Sequence, residues 1–228
     1  HRRSFSASNG LSYSWLAGSG YQALYAESRE AGGLGGNDLA EPMPQDGWSS
    51  QSLSTATAHA SAGASAGADG LLSSSASASR ATAAAQPAQP HTGNSWAMQS
   101  GYFQLSGAGQ LHIVVDYSLS VAAPLYDGQD SSALAGLQLQ AGNFDTGTSA
   151  SDALQLWSFT LPTGSASQSG SLSLLVDISG PMDTGFYDLR ANTDVSAIAS
   201  VPEPGGWALM ALGLATLGAM VRRQRRGA

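Results

Sequence analysis

From Gly109 to Val121 the chain reads GQLHIVVDYSLSV, and its side chains alternate. Leu111, Ile113, Val115, Tyr117, Leu119 and Val121 fall on one side, with Gln110, His112, Asp116, Ser118 and Ser120 on the other, interrupted only by Val114. A period of two is strand geometry, so this segment predicts a strand with one face in a core and one toward solvent. Shorter runs of the same kind recur at LAGLQLQAG, DALQLWSFTLP, GSLSLLVDIS and FYDLRANTDVSAIAS. They are separated by the turn-rich clusters YDGQDSS, NFDTGTSASD, PTGSASQSG and GPMDTG. Strands at this spacing, without a helical period before the C-terminal tail, predict an all-β chain: an antiparallel β-sandwich, jelly-roll-like.

Between Gln51 and Gly70 the alternation persists with small residues. Every even position from Ala56 to Ala68 is Ala, while the odd ones carry Thr, His, Ser or Gly. After the Asp69-Gly70 turn signal, LLSSSASASRATAAA alternates again and suits the returning strand of a hairpin. Because 22 of the 35 residues from 51 to 85 are Ala or Ser, a low-complexity linker, or silk-like stacking between molecules, fits the same composition. QPAQPH at 86–91 predicts a loop, and residues 1–50 predict a loop-rich N-terminal part with at most a helical turn in ESREAGGLGGNDLAEPMPQDGW. The expected organisation is therefore 1–50 loop-rich, 51–200 sandwich body with a hairpin or linker at 51–85, and 201–228 a separate tail.

The tail breaks the pattern. Residues 205–221 are seventeen positions without a charge, about 25 Å as a helix against a hydrocarbon core of roughly 30 Å. The segment has no polar stripe, so it reads as one C-terminal transmembrane helix and not as an amphipathic surface helix. Trp207 stands near one end, where an indole meets headgroups, and Arg222, Arg223, Arg225 and Arg226 follow the other end as a stop-transfer cluster. Cationic flanks mark the cytoplasmic side, which puts the body across the membrane. Immediately before the span, Pro202-Glu203-Pro204 can enter neither a helix interior nor a central strand, so it predicts an extended, accessible peptide.

This order of V-P-E-P, short apolar span and terminal Arg cluster resembles the PEP-CTERM sorting signal of Gram-negative, exopolysaccharide-producing bacteria, over residues 201–228. The resemblance implies that Pro202, Glu203 and Pro204 are the recognition element of exosortase, a membrane transpeptidase-like processing enzyme. It also implies a transient stay in the inner membrane with the body in the periplasm, then release to the cell surface or extracellular matrix. A signal peptide is expected upstream, or already removed, because HRRSFSASNG has no apolar h-region. Bodies carried by such tails often resemble carbohydrate-binding modules, which implies exopolysaccharide glycans as partners.

Charge narrows the partners further. The chain has no lysine, and residues 1–204 hold five arginines against all sixteen acids, a net charge of −11 before histidines are counted. Such a body repels nucleic acid. The absence of cysteine removes disulfides, thiolate nucleophiles and thiolate metal sites. There is no nucleophile elbow, zinc-protease helix, phosphate loop or dinucleotide fingerprint, so no catalytic, cofactor or metal residues are assigned. His1, His59, His91 and His112 lack ligand spacing, and His112 reads as a surface histidine. Asp127, Asp130, Asp145 and Asp183 read as turn aspartates; calcium ligation is the other role open to them. Trp15, Trp48, Trp96 and Trp157 are core or edge residues, or a sugar-stacking platform. The expectation is a non-enzymatic exported protein, structural or adhesive. The alternatives are a surface polysaccharide hydrolase and a protein anchored uncut in the inner membrane.

Overall fold

The computed structural model describes residues 2–8, 10–30, 37–40, 48–78, 90–122, 131–159, 165–180 and 182–198. They form thirteen strands: β1 (Arg2–Ala7), β2 (Ser12–Trp15), β3 (Tyr21–Arg29), β4 (Asn37–Ala40), β5 (Gln51–Ala56), β6 (Ala60–Ala66), β7 (Leu72–Ala78), β8 (Pro90–Ser106), β9 (Gly109–Ala122), β10 (Ser131–Asn143), β11 (Thr148–Phe159), β12 (Ser165–Ile178) and β13 (Met182–Ile198). All pairings are antiparallel and no helix occurs among the described residues.

A seven-stranded sheet runs β11-β10-β13-β8-β3-β4, with β2 also paired to β8. Two three-stranded sheets, β1-β9-β12 and β5-β6-β7, pack against it: β6 and β7 lie over β3, β8 and β13, while β9 and β12 meet β10 and β11. The alternation read for Gly109–Val121 is present in β9, where Leu111, Ile113 and Val115 are fully buried. They share one core with Leu172, Leu174 and Val176 of β12 and with Phe103, Leu105, Leu137, Leu139, Tyr187 and Leu189 of the large sheet. The result is a β-sandwich whose second layer is divided in two.

The Ala/Ser tract is ordered from 51 to 78 as three strands, not one hairpin. Thr57 interrupts the first alternating run: its amide donates to the Ala60 carbonyl at 2.8 Å, and its Oγ1 accepts from the Ala60 amide at 3.0 Å, closing the turn between β5 and β6. The β6–β7 hairpin forms as expected, with Gly70 supplying the φ of 84° that its turn requires. Ala60, Ala62, Ala64 and Ala66 are the buried face of β6. Each buries little area, so cohesion comes from close approach of backbones and from hydroxyl pairs between layers. Ser74 Oγ lies 3.2 Å from Ser95 Oγ and 2.9 Å from Thr193 Oγ1, and Ser95 Oγ donates to the Ser75 carbonyl at 2.9 Å.

Two further expectations change. Residues 1–50 contribute four strands instead of being loop-rich, because β2 and β3 borrow the ladder of β8, and β1 that of β9. The loop expected at 86–91 gives way at Pro90, which opens β8 at the position where a strand tolerates a missing N–H; 86–89 lie outside the described residues. β8 carries apolar alternation only at its end, where Phe103 and Leu105 are buried between exposed neighbours. From 93 to 102 its inner face is Gly93, Ser95, Ala97, Gln99 and Gly101 and its outer face Asn94, Trp96, Met98, Ser100 and Tyr102, so both faces mix sizes and polarities.

His91, buried near the start of β8, has its ring 4.9 Å from that of His59, whose Nδ1 lies 3.4 Å from Glu30 Oε1. Burial, and then the neighbouring His59, push the His91 pKa below its usual value. The unfolded chain therefore takes up a proton near pH 6.5 that the folded chain refuses. Stability attributable to this histidine is complete above that pH and declines as the pH falls through it. Thermal melts at pH 7.5 and pH 5 should show the lower midpoint at pH 5, with a smaller difference in His91→Gln.

Candidate functional site

The outer face of the seven-stranded sheet is the side away from the core, and four strands contribute to its centre. Cross-strand register places Tyr25 of β3 beside Trp96 of β8, Trp96 beside Asn192 of β13, and Asn192 beside Gly136 of β10. One step along the sheet, Gln138 pairs with Arg190. The side chains of Tyr25, Trp96, Gln138, Arg190 and Asn192 point outward because each alternates with a buried neighbour in its own strand. Together Tyr25, Asn94, Trp96, Gln138, Arg190 and Asn192 line a pocket of about 420 Å³.

Its geometry is set by Trp96. Tyr25 stacks on it from β3 with ring centroids 5.9 Å apart and planes 10° from parallel. From β13, the Arg190 guanidinium carbon lies 4.8 Å from the indole centroid, a cation–π contact that orients the guanidinium. Tyr25 is itself fixed, its hydroxyl donating to Glu27 Oε2 at 2.6 Å, and Glu27 is ion-paired with Arg29. Asn94 Nδ2 donates to Asp194 Oδ2 at 2.9 Å. Gly136 leaves room for the Asn192 amide: a Cβ there would stand 2.6 Å from Asn192 Oδ1. Burial raises the Asp188 carboxyl above the usual carboxylate range, and Arg190 draws it back in part.

A second aromatic group lies further along the same sheet. Tyr102 and Phe144, both about half exposed, have centroids 5.6 Å apart, and Phe144 is 4.9 Å from Phe186. Six residues of β8 separate Trp96 from Tyr102, roughly 20 Å of strand.

The four tryptophans considered together in the sequence are thus divided. Trp96 and the half-exposed Trp157 lie on the outer face, whereas Trp15 and Trp48 pair at 4.7 Å in an aromatic cluster with Phe5, Phe103 and Tyr187 on the core side. Tyr25, Gln138, Arg190 and Asn192 were missed by sequence reasoning, since each sits in an ordinary strand pattern and only strand order brings them to Trp96. Asp145 and Asp183 behave as turn aspartates: Asp145 Oδ2 accepts from the Thr184 amide at 2.5 Å, and the buried Asp183 accepts from Asn143 Nδ2 at 2.7 Å and the Gly180 amide at 3.2 Å. Asp127 and Asp130 lie outside the described residues. Among the described residues no group of three or more His, Asp or Glu is placed to hold a metal ion. His112 is half-buried on the outer side of β9.

The tail, with Pro202, Glu203, Pro204, Trp207, the apolar span 205–221 and Arg222, Arg223, Arg225 and Arg226, lies outside the described residues. No helix among the described residues is long and apolar enough to cross a membrane. Residues 200–226 match the PEP-CTERM protein-sorting motif. The PEP-CTERM motif implies processing by exosortase and export through a membrane to the cell surface. No curated protein matches the chain. Among solved structures, one described as "Structural basis for the promiscuous specificity of the carbohydrate-binding modules from the beta-sandwich super family" covers 86% of this chain and 96% of its own, at 8% identity and a TM-score of 0.14. That likeness is too slight to bear on the fold or the site.

Proposed function

We propose that this is an exported protein of the cell surface or extracellular matrix, delivered by exosortase, whose sandwich body binds exopolysaccharide through the outer face of its seven-stranded sheet and acts there structurally or adhesively. The observation that carries the glycan reading is the pocket around Trp96. Amides of Asn94, Gln138 and Asn192 and the Arg190 guanidinium supply donors and acceptors suited to sugar hydroxyls, beside rigid aromatic rings whose apolar surfaces suit the C–H faces of sugars. The pocket lining contains no carboxylate, whereas glycoside hydrolysis ordinarily needs two. This supports binding over hydrolysis. In this reading residues 205–221 span the inner membrane as a helix, Trp207 and the four terminal arginines set its depth, and the jelly-roll-like body faces the periplasm until Pro202-Glu203-Pro204 is recognised.

Expression of the full-length chain in a host with an exosortase, and in the same host without it, tests the delivery. Intact-mass spectrometry should show loss of roughly 24–28 residues from the C-terminus only where the enzyme is present. Glu203→Ala should leave the chain uncut in both hosts. An intact Ala228 in wild-type protein from both strains would instead make the tail a permanent anchor.

A further inference from the structure

Arg190 is more than one polar group among several. Its guanidinium makes no hydrogen bond or ion pair with any acceptor among the described residues; it rests on the Trp96 ring, and its charge also acts on the Asp188 carboxyl two residues before it. A guanidinium resting on an indole keeps its N–H edges available, pre-oriented for a planar two-oxygen acceptor. The other charges of this face are differently engaged: Glu27 with Tyr25 and Arg29, and Asp194 with Asn94, while Asp188 remains a partly buried carboxyl on the same strand. Arg190 therefore stands as an exposed cation with unused donors inside a pocket of neutral amides.

We propose that the pocket takes a single carboxylate-bearing sugar, a uronate held through its two oxygens by Arg190, within a glycan whose adjacent sugars are uncharged. This rests on the glycan reading above and specifies its ligand class. The sparse spacing of charge follows from what flanks Arg190. Asp188 lies two residues before it and Asp194 four residues after it on the same outward side of β13, about 7 and 13 Å along the strand. A polymer with a carboxylate on every sugar sets further negative charges against these two acids and against a strongly acidic body, and like-charge juxtaposition selects against it. A glycan carrying isolated uronates satisfies Arg190 without that repulsion, and its neutral neighbours meet the amides of Asn94, Gln138 and Asn192.

The test uses the full chain in detergent and affinity electrophoresis or calorimetry against four probes: gellan, in which neutral sugars separate the glucuronates, the same gellan after carboxyl reduction, polygalacturonate, and a neutral β-glucan. Gellan should bind at least about tenfold more tightly than its reduced form, as the loss of a charge-assisted pair of hydrogen bonds requires, and more tightly than polygalacturonate. Arg190→Gln, which keeps an amide donor, should bind both gellans alike and retain the wild-type near-ultraviolet circular dichroism. Arg190→Lys should keep only part of the preference. Equal binding of native and reduced gellan by the wild type, or an undiminished preference in Arg190→Gln, overturns the uronate assignment while leaving the glycan reading intact. Tighter binding of polygalacturonate overturns the sparse-charge selection. If none of the four is bound, the glycan reading itself falls, and the uronate assignment with it.

Discussion

Gly93→Val is expected to lower the unfolding free energy by about 3 kcal/mol, the upper part of the range for overpacking a filled interior. A Cβ at Gly93 would stand 2.6 Å from the Ser61 carbonyl oxygen and 3.0 Å from that of Ser77, so β8 runs almost against the backbones of β6 and β7 at this point. Both obstacles are main-chain atoms held in the β6–β7 ladder, and no side-chain rotation relieves them. Gly63→Ala is the control. It lies in β6, in the small sheet that packs against Gly93, but the nearest atom to its Cβ would be Ser75 Oγ at 3.3 Å, the end of a side chain that can turn aside. Its cost should remain below about 1 kcal/mol. Denaturant unfolding of the two variants gives the comparison. Equal midpoints would mean that the two layers do not approach as closely as Gly93 requires, and that the Ala/Ser sheet is not held against β8.

Arg3→Ala is the second large effect, with an expected loss of roughly 2–4 kcal/mol, most of it from lost packing. The Arg3 guanidinium carbon lies 3.6 Å from the Trp48 ring centroid, 5.3 Å from Tyr187, 5.6 Å from Trp15 and 5.7 Å from Phe5. Its side chain thereby links β1 to the aromatic cluster. Burial is the main influence on this group and lowers its pKa, although arginine stays charged. Nη1 has no hydrogen-bond partner among the described residues. The cation–π contacts and the cost of burying an incompletely satisfied charge therefore oppose each other. Arg3→Met, which keeps the length and apolar bulk and removes the charge, should cost less than about 1 kcal/mol. A Met variant as damaged as the Ala variant would show that the charge, and not the volume, holds the cluster together.

The candidate face shows why some structure was legible along the chain and some was not. β9 was readable because its inner residues are all apolar and its outer residues mostly polar, so alternation reports burial directly. β8 was not, although it is a central strand of the large sheet. Its inner face must be small where β6 and β7 approach, which demands Gly93 and Ser95, and its outer face carries Trp96 and Tyr102, so hydropathy has no period over most of the strand, and the buried Phe103 and Leu105 at its end are too short a run to announce it. In β3, Gln22 and Ser28 are buried polar residues, and Gln22 Nε2 reaches the Gly67 carbonyl at 3.5 Å in the β6–β7 turn. A buried polar residue with a distant partner looks like a loop residue until the partner is known.

What the sequence by itself determined is whatever depends on neighbours a few positions apart. That includes the PEP-CTERM tail, whose order of prolines, apolar span and arginines is a linear signal, the β character of the body, the inward face of β9, and the Ala face of β6. The tertiary structure alone decided which strands lie side by side. Tyr25, Trp96 and Arg190 come from three strands far apart in the chain, and their meeting rests on β8 lying between β3 and β13. Strand pairing is a long-range choice made by packing and ladder hydrogen bonds over the whole sheet, and alternation within one strand says which side faces the core but not which strand is next to it.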